Sequence, residues 1–396
     1  MTLFDKFQPI ADARRALAES GIESINVVME QVLSPTEAMI NGRRTILAGT
    51  NNYLGLTFHP DCVNAACRAL RLEGTGTTGS RAANGNYNGH VALERELADF
   101  FGVRSVIVFS TGYVANLGMI ATLTGPGDVL LIDADSHASI YDGCRMSGAE
   151  VIRFRHNDPA DLDKRLRRLE ERAARTVIIV EGIYSMFGDR APLAEIADIK
   201  RRHGAYLLVD EAHSLGVLGE HGRGRAEEAG VESEVDFIIG TFSKSLGAIG
   251  GYCASNHPEM DLMRYANRAY VFTASPSPSV IASTRSALSL LRAHPELRDR
   301  LWAQSRRLYA RLAAMGFQLG PEPSPIIAVR LSAREQALAM WGGLLEHGVY
   351  VNLVLPPASP DGGSLLRCSV SAGHTPEQID QIAQAFADVH PAGVPG

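Results

Sequence analysis

Lysine is scarce in this chain: among its 396 residues and 38 basic side chains there are four, Lys6, Lys164, Lys200 and Lys244. Cysteine is scarce as well and odd in number. Cys62, Cys67, Cys144, Cys253 and Cys368 form no C-x-x-C pair, so neither a disulfide framework nor a zinc site is signalled, and all five read as small buried hydrophobes. No window of about 18 residues is apolar enough to span a bilayer. The opening stretch "MTLFDKFQPIADARRALAES" mixes charge and polarity and lacks a signal-peptide core, so a cytoplasmic protein with no integral membrane segment is expected. The net charge of −6 is spread along the chain without a basic stripe, so a small molecule rather than nucleic acid is the expected partner. There is no G-x-x-x-x-G-K-[ST] loop, so "DEAH" at 210 to 213 is not the mark of a nucleotide-driven helicase. There is no helix-turn-helix pattern ahead of the main domain, as a regulator would need, and no 20- to 50-residue repeat.

What is present is an alternation. Short β-rich runs, "SVIVFS", "DVLLID", "AEVIRF", "TVIIVEG", "AYLLVDE" and "VDFIIGTF", are separated by helical patterns such as "GYVANLGMIATL" and "LAEIADIKRRH". Nearly continuous apolar strands alternating with helices predict an α/β domain whose parallel sheet is covered on both faces. Past about residue 290 the texture changes to amphipathic helices interleaved with "PIIAVRL" and "SLLRCSVS", which predicts a smaller α+β domain. The expected division is an N-terminal segment over 1–45, a large domain over 46–290 and a small domain over 291–396, with the tail "HPAGVPG" frayed.

In such sheets ligands collect beyond the carboxyl ends of the strands. "STGY" follows one strand and opens a helix, so Gly112 and Tyr113 would offer backbone N–H groups to an anion. Other strand ends lead into "ADSHAS" with His137, "EGIYSMFGD", "DEAHS" with Asp210 and His213, and "TFSKS" with Lys244. Each has a plain structural alternative: a hydrogen-bonded histidine, a helix-capping aspartate, an ordinary N-cap. Lys6, Lys164 and Lys200 sit among charges on helix-like stretches and read as solvated surface residues; Lys244 lies between an apolar strand and a glycine-rich run. A lysine in a dry, glycine-lined site has a lowered pKa and can attack an aldehyde to form a Schiff base. A carboxylate at a neighbouring strand end, Asp210, would keep a ring nitrogen protonated, and a flat imidazole would stack on the ring.

Through "NNYLGL" (51 to 56), "STGYVAN" (110 to 116), "DADSHASIYDG" (133 to 143), "EGIYSMFGD" (181 to 189), "VDEAHSLGVLGEHGRG" (209 to 224), "TFSKSLG" (241 to 247) and "FTAS" (272 to 275), the sequence resembles the α-oxoamine synthase family of fold-type I pyridoxal-phosphate enzymes. The likeness runs in order over nearly the whole chain. It implies a large domain with a mostly parallel seven-stranded sheet, a smaller α+β C-terminal domain, and pyridoxal 5'-phosphate as cofactor. Lys244 is then the Schiff-base lysine, Asp210 the partner of the pyridinium nitrogen, His213 a partner of the phenolic oxygen and His137 the stacking residue. Gly112, Tyr113, Thr241 and Ser243 would contact cofactor and phosphate, and Thr273 would reach the cofactor of the neighbouring subunit, which implies a homodimer. Asn52 would line the substrate site and Arg367 would pair with the substrate carboxylate.

"TTGSRAANG", "FSTGYVANLGMIATL" and "YVNLVLPPASP" are most similar to soluble bacterial members that condense L-serine with a long-chain acyl thioester, carried by CoA or by acyl carrier protein. Other members use alanine with a pimeloyl thioester or glycine with short acyl-CoA. Two departures stand out: Leu355 occupies the place of a second arginine directly before "PPA", and Asn51 stands where an aromatic residue is often seen.

Overall fold

A computed structural model describes residues 2–19, 27–356, 358–359 and 362–390. Of the tail expected to fray, only His390 falls within this range. Three short strands come first, β1 (Gln31–Ser34), β2 (Glu37–Ile40) and β3 (Arg43–Leu47). The main sheet follows: β4 (Ser105–Phe109), β5 (Val129–Asp133), β6 (Glu150–Phe154), β7 (Thr176–Glu181), β8 (Tyr206–Asp210), β9 (Phe237–Thr241) and β10 (Gly251–Ser255). The last part of the chain supplies β11 (Gln318–Leu319), β12 (Ile326–Leu331), β13 (Val349–Tyr350), β14 (Asn352–Val354) and β15 (Ser364–Ser369).

The main sheet has seven strands in the order β4-β10-β9-β8-β7-β5-β6. It is parallel except for β10, which runs antiparallel between β4 and β9. Successive strand residues point to opposite faces, and each face has its own core. Val106, Val108, Val129, Leu131, Leu207 and Val209 pack on one side, and Ile107, Phe109, Leu130, Ile132 and Leu208 on the other. Full burial of each such side chain is worth about 1.5–3 kcal/mol, and both faces are covered, which is why these strands read as unbroken apolar runs. The six runs singled out in the sequence are the six parallel strands. The seventh, "GYCAS", begins with glycine and has no branched apolar residue, so nothing in its pattern set it apart.

The small domain is an antiparallel sheet, β11-β12-β15-β14, with the helices Glu296–Ala314, Arg334–Glu346 and Pro376–Asp388 against it. The last of these starts at a capping box of Thr375 and Gln378 with proline in its first turn, a pairing that satisfies otherwise orphaned N–H groups. The N-terminal strands form a third sheet, β1-β2-β3-β13, in which β13 runs parallel to β3 and ties residue 349 to residue 46. No helix among the described residues is long and apolar enough to cross a membrane. Four of the cysteines are buried and unpaired, as read from their spacing, and Cys67 is exposed.

Candidate active site

Five parallel strands end on one cavity of about 330 Å³. Past β4 come Thr111 and Gly112, past β5 His137, at the end of β7 Glu181, at the end of β8 Asp210 followed by His213, and at the end of β9 Thr241, Ser243 and Lys244. The antiparallel β10 brings its first residues to the same rim, with Gly250 in the lining. The sequence-predicted residues Lys244, His137, Asp210, His213, Gly112, Tyr113, Thr241 and Ser243 therefore meet in one place.

The floor is tightly built. Thr111 caps the helix Gly112–Leu123, its side chain accepting from the Val114 N–H, and leaves the N–H groups of the first turn facing the cavity. A Cβ at Gly112 would lie 2.8 Å from the Thr241 Cβ, so only glycine lets this turn approach β9. The hydroxyls of Thr241 and Ser243 are 2.8 Å apart, and Thr241 also donates to the Gly250 carbonyl at 2.9 Å. Together these donors form a cradle of the size and polarity that a phosphate needs.

Lys244 is half-buried, and its amine lies among Asp210, Glu181 and Arg367 without a carboxylate in salt-bridge contact among the described residues. Burial lowers its pKa from 10.5 to about 8, with Arg367 adding to the fall and Asp210 and Glu181 opposing it. Asp210 is held in place by the Asn116 amide at 2.6 Å and by the Ala212 N–H at 2.9 Å. Asn116 also donates to Ser139 at 3.0 Å. His137 caps the next helix and accepts from the Ser139 N–H at 3.2 Å, so the hydrogen-bonded structural alternative and the cavity-lining one are both met by the same ring. Burial, reinforced by Lys244 and opposed by Asp210, keeps its pKa below the ordinary histidine value.

His213 is buried and its pKa falls well below the usual range, first through burial and then through the charges of Lys244, Arg367 and His137. It is a neutral imidazole whose Nδ1 lies 2.7 Å from the Tyr53 hydroxyl. From Tyr53 a chain of polar contacts leads to Arg367. The Tyr53 hydroxyl approaches Asn51 Oδ1 at 3.4 Å, and that oxygen accepts from both terminal nitrogens of Arg367 at 3.2 Å. Arg367 Nη1 also donates to Ser369 at 2.9 Å and Nε to the Ser185 carbonyl at 2.5 Å. Arg367 is 6% exposed and none of these partners is a carboxylate. A buried guanidinium satisfied only by neutral groups retains an uncompensated charge, which suits an anionic ligand. Asn52 is buried close by in sequence, donating to Thr57 at 2.8 Å, with its Oδ1 buried and unpartnered.

Not every expectation falls in the cavity. Asn52, Arg367 and Thr273 are outside its lining, and Thr273 lies on the partly exposed segment after the helix Arg268–Val271. The Tyr113 ring is exposed at the rim, with its hydroxyl donating to Asp142. Lys200 corrects the reading of a solvated surface residue: its side chain is 16% exposed and paired with Asp236 at 3.2 Å. Leu355 packs, partly buried, against the core. Three site residues had not been singled out: Glu181, Asn116 and Tyr53. Burial and then the Asp210 charge push the Glu181 carboxyl well above its ordinary range, and its Oε1 accepts from the His137 N–H at 2.5 Å. The signal for Glu181 was its place at the end of β7; Asn116 and Tyr53 stood inside quoted motifs without any mark of their own.

Residues 44–386 match the family described as Aminotransferase class I and II. The chain belongs to this family. Among its relatives, a serine palmitoyltransferase of Caulobacter vibrioides is 58% identical over 98% of this chain and 96% of its own length. The structure of a Sphingomonas wittichii serine palmitoyltransferase superposes with a TM-score of 0.96 at 54% identity, covering 98% of both chains. A serine palmitoyltransferase structure described as holding a pyridoxal-phosphate internal aldimine gives a TM-score of 0.96 at 50% identity, again over 98% of both chains. The resemblance drawn from the motifs and the fold class it implied are both borne out, and pyridoxal phosphate is the cofactor that the family and these structures indicate.

Proposed function

We propose that this chain catalyses the pyridoxal-phosphate-dependent condensation of L-serine with a long-chain acyl thioester, as palmitoyl-CoA or on acyl carrier protein, giving 3-oxosphinganine and CO2. The observation that carries the reading is Lys244: a half-buried amine with a lowered pKa, the one lysine in a cavity that also holds a carboxylate and a helix N-terminus. Those features fit pyridoxal phosphate group by group, with the N–H groups after Thr111 and the hydroxyls of Thr241 and Ser243 for its phosphate, Asp210 for its ring nitrogen, His137 for its ring face, His213 for its phenolic oxygen and Lys244 for its aldehyde. When bound, the cofactor supplies an electron sink for negative charge at the substrate's α-carbon.

The remaining work belongs to the protein. Arg367 holds the serine carboxylate with charge-assisted hydrogen bonds, beside Asn52. With an amine whose pKa is about 8, Lys244 takes the proton from serine Cα near neutral pH, where an ordinary lysine would remain charged. Asp210, held by Asn116 and Ala212, keeps its charge aimed into the cavity. The net reaction forms one bond from Cα to the acyl carbon, breaks the thioester C–S bond to release thiol, which takes one proton from solvent, and breaks the Cα–carboxylate bond to release CO2, after which a proton returns to Cα. Because the carboxylate must be held until that bond breaks, one arginine governs both affinity and outcome. Thr273, away from its own cavity, reaches the site of a second copy in a homodimer. An assay pairing serine, alanine and glycine with palmitoyl-CoA and with a pimeloyl thioester, following thiol and CO2 release, tests the reading. Serine is expected to be used in strong preference; turnover of alanine with a pimeloyl thioester and none of serine would replace it with the alternative, 8-amino-7-oxononanoate synthesis.

A further inference from the structure

Next to the cavity, at the ends of β5 and β6, lies a second group of charged side chains that the reaction does not use. His156 stands between two carboxylates, with Nδ1 at 2.8 Å from Asp133 Oδ1 and Nε2 at 2.7 Å from Asp189 Oδ2. A third carboxylate, Asp135, is 3.8 Å from Nδ1. Asn157, in the left-handed region with φ 50°, completes the arrangement. Its N–H donates to Asp133 Oδ2 at 2.9 Å, and its amide donates to Asp189 at 2.7 Å and to the Arg190 carbonyl at 3.1 Å. The Tyr184 ring meets His156 edge-on at 4.5 Å. With both ring nitrogens facing carboxylates, His156 is an imidazolium.

Asp189 closes a hairpin. Ile183 bridges Arg190, the Tyr184 N–H donates to the Asp189 carbonyl at 2.9 Å, and the Gly188 N–H donates to the Tyr184 carbonyl at 3.0 Å. The hairpin is wedged against the small domain, where a Cβ on Gly188 would come within 2.4 Å of the Ile326 carbonyl and one on Gly320 within 2.3 Å of the Phe187 carbonyl. The Ser185 carbonyl in this hairpin is the group that accepts from Arg367 Nε. His156 thus ties the main sheet to the loop that aims the guanidinium.

We propose that His156, gripped by Asp133 and Asp189, is a positioning residue for Arg367: it fixes the 183–190 hairpin so that the Ser185 carbonyl sets the guanidinium for the amino acid's carboxylate. The inference rests on the reading that Arg367 receives that carboxylate. Two N–H donors on opposite edges of one ring, with a positive charge between two negative ones, are needed for this grip. Glutamine supplies neither the span nor the charge.

The test is a titration of the pyridoxal-phosphate-loaded protein with L-serine in the absence of acyl donor, read by the change in visible absorbance, alongside a separate titration of cofactor into the cofactor-free protein. His156→Gln is expected to weaken serine binding by about five- to thirtyfold, while cofactor affinity moves less than about twofold, within the scatter of independent sites. In an Arg367→Ala background the same substitution is expected to add less than about twofold, because the group being positioned is gone. Unchanged serine affinity in His156→Gln overturns the proposal, and so does an equal loss in both backgrounds, which would mean general loosening. If His156→Gln does not fold, Asp189→Asn, which keeps the shape and removes one charge of the grip, carries the same two comparisons with an expected loss of about threefold or more. Failure of the wild-type protein to bind serine at all would strike the proposed function instead, and the two failures are distinct.

Discussion

Two neighbouring groups of buried charge sit at the ends of the same sheet, and they are built in opposite ways. Lys244 in the cavity and Arg367 beside it lack a contacting carboxylate among the described residues, and the histidine between them and Tyr53, His213, is driven well below its usual pKa. Around His156, burial favours the neutral ring, yet Asp133 and Asp189 outweigh it and raise the pKa to about 10. One residue type is thus neutral in one group and charged in the other, a few strands apart. Charge left unbalanced is available for chemistry and for an anionic substrate; charge that is balanced holds backbone in place.

Removing the unbalanced amine should give the largest effect. Lys244→Ala is expected to lose turnover by roughly 10²–10⁴-fold or more, measured as thiol release from palmitoyl-CoA with serine, while the protein still folds. Arg367→Ala should weaken serine binding by about ten- to a hundredfold, since a hydrogen bond to a charged group is worth roughly 1.5–3 kcal/mol, without changing cofactor content by absorbance.

The two groups should also respond to pH with opposite signs. Unfolded Lys244 keeps its proton to pH 10.5 while the folded residue releases it near 8, so the cost of burying the charge is full below pH 8 and gone by 10.5. Stability of the cofactor-free protein from this source rises over that window by at most about 3 kcal/mol. His156 behaves in reverse. Its contribution is fully present below its ordinary value of 6.5 and is lost as pH rises through about 10. Denaturant titrations at several pH values on wild type, Lys244→Ala and His156→Gln should show each slope vanish in its own variant. A smaller effect is expected of Gly112→Ala. Its Cβ would crowd Thr241 and push the helix N-terminus from the cradle, weakening cofactor binding by about tenfold, of the order of a lost anion contact at a helix end, as read by cofactor titration.

Much of the first group was legible in the sequence because its cavity-lining members sit at or just past the ends of apolar strands, and a parallel sheet turns five separate strand ends into one place. Lys244, Asp210 and His137 needed no more than that. The second group was not legible. "RFRHND" gives no sign that His156 will lie between Asp133 and Asp189, since that depends on β6 being the edge strand beside β5, an order that strand patterns do not carry. Arg367 was singled out as the expected carboxylate anchor from the family resemblance, but its hold on Ser185 spans 182 residues and follows only from the small domain closing on the hairpin. The antiparallel β10 was missed because "GYCAS" has none of the branched apolar residues of its neighbours, and the β3–β13 pairing because β13 is two residues long. Lys200 was misjudged because a charged helix face does not reveal that Asp236 packs over it.

The most direct test of the account concerns which lysine is reactive. The protein is reconstituted with pyridoxal phosphate, reduced with borohydride to fix any imine, digested, and mapped by mass spectrometry. The account predicts the pyridoxyl group on Lys244, with Lys6, Lys164 and Lys200 unmodified and the Lys244→Ala variant unlabelled. Labelling that persists in Lys244→Ala, or that falls on Lys200 in the wild type, would contradict it.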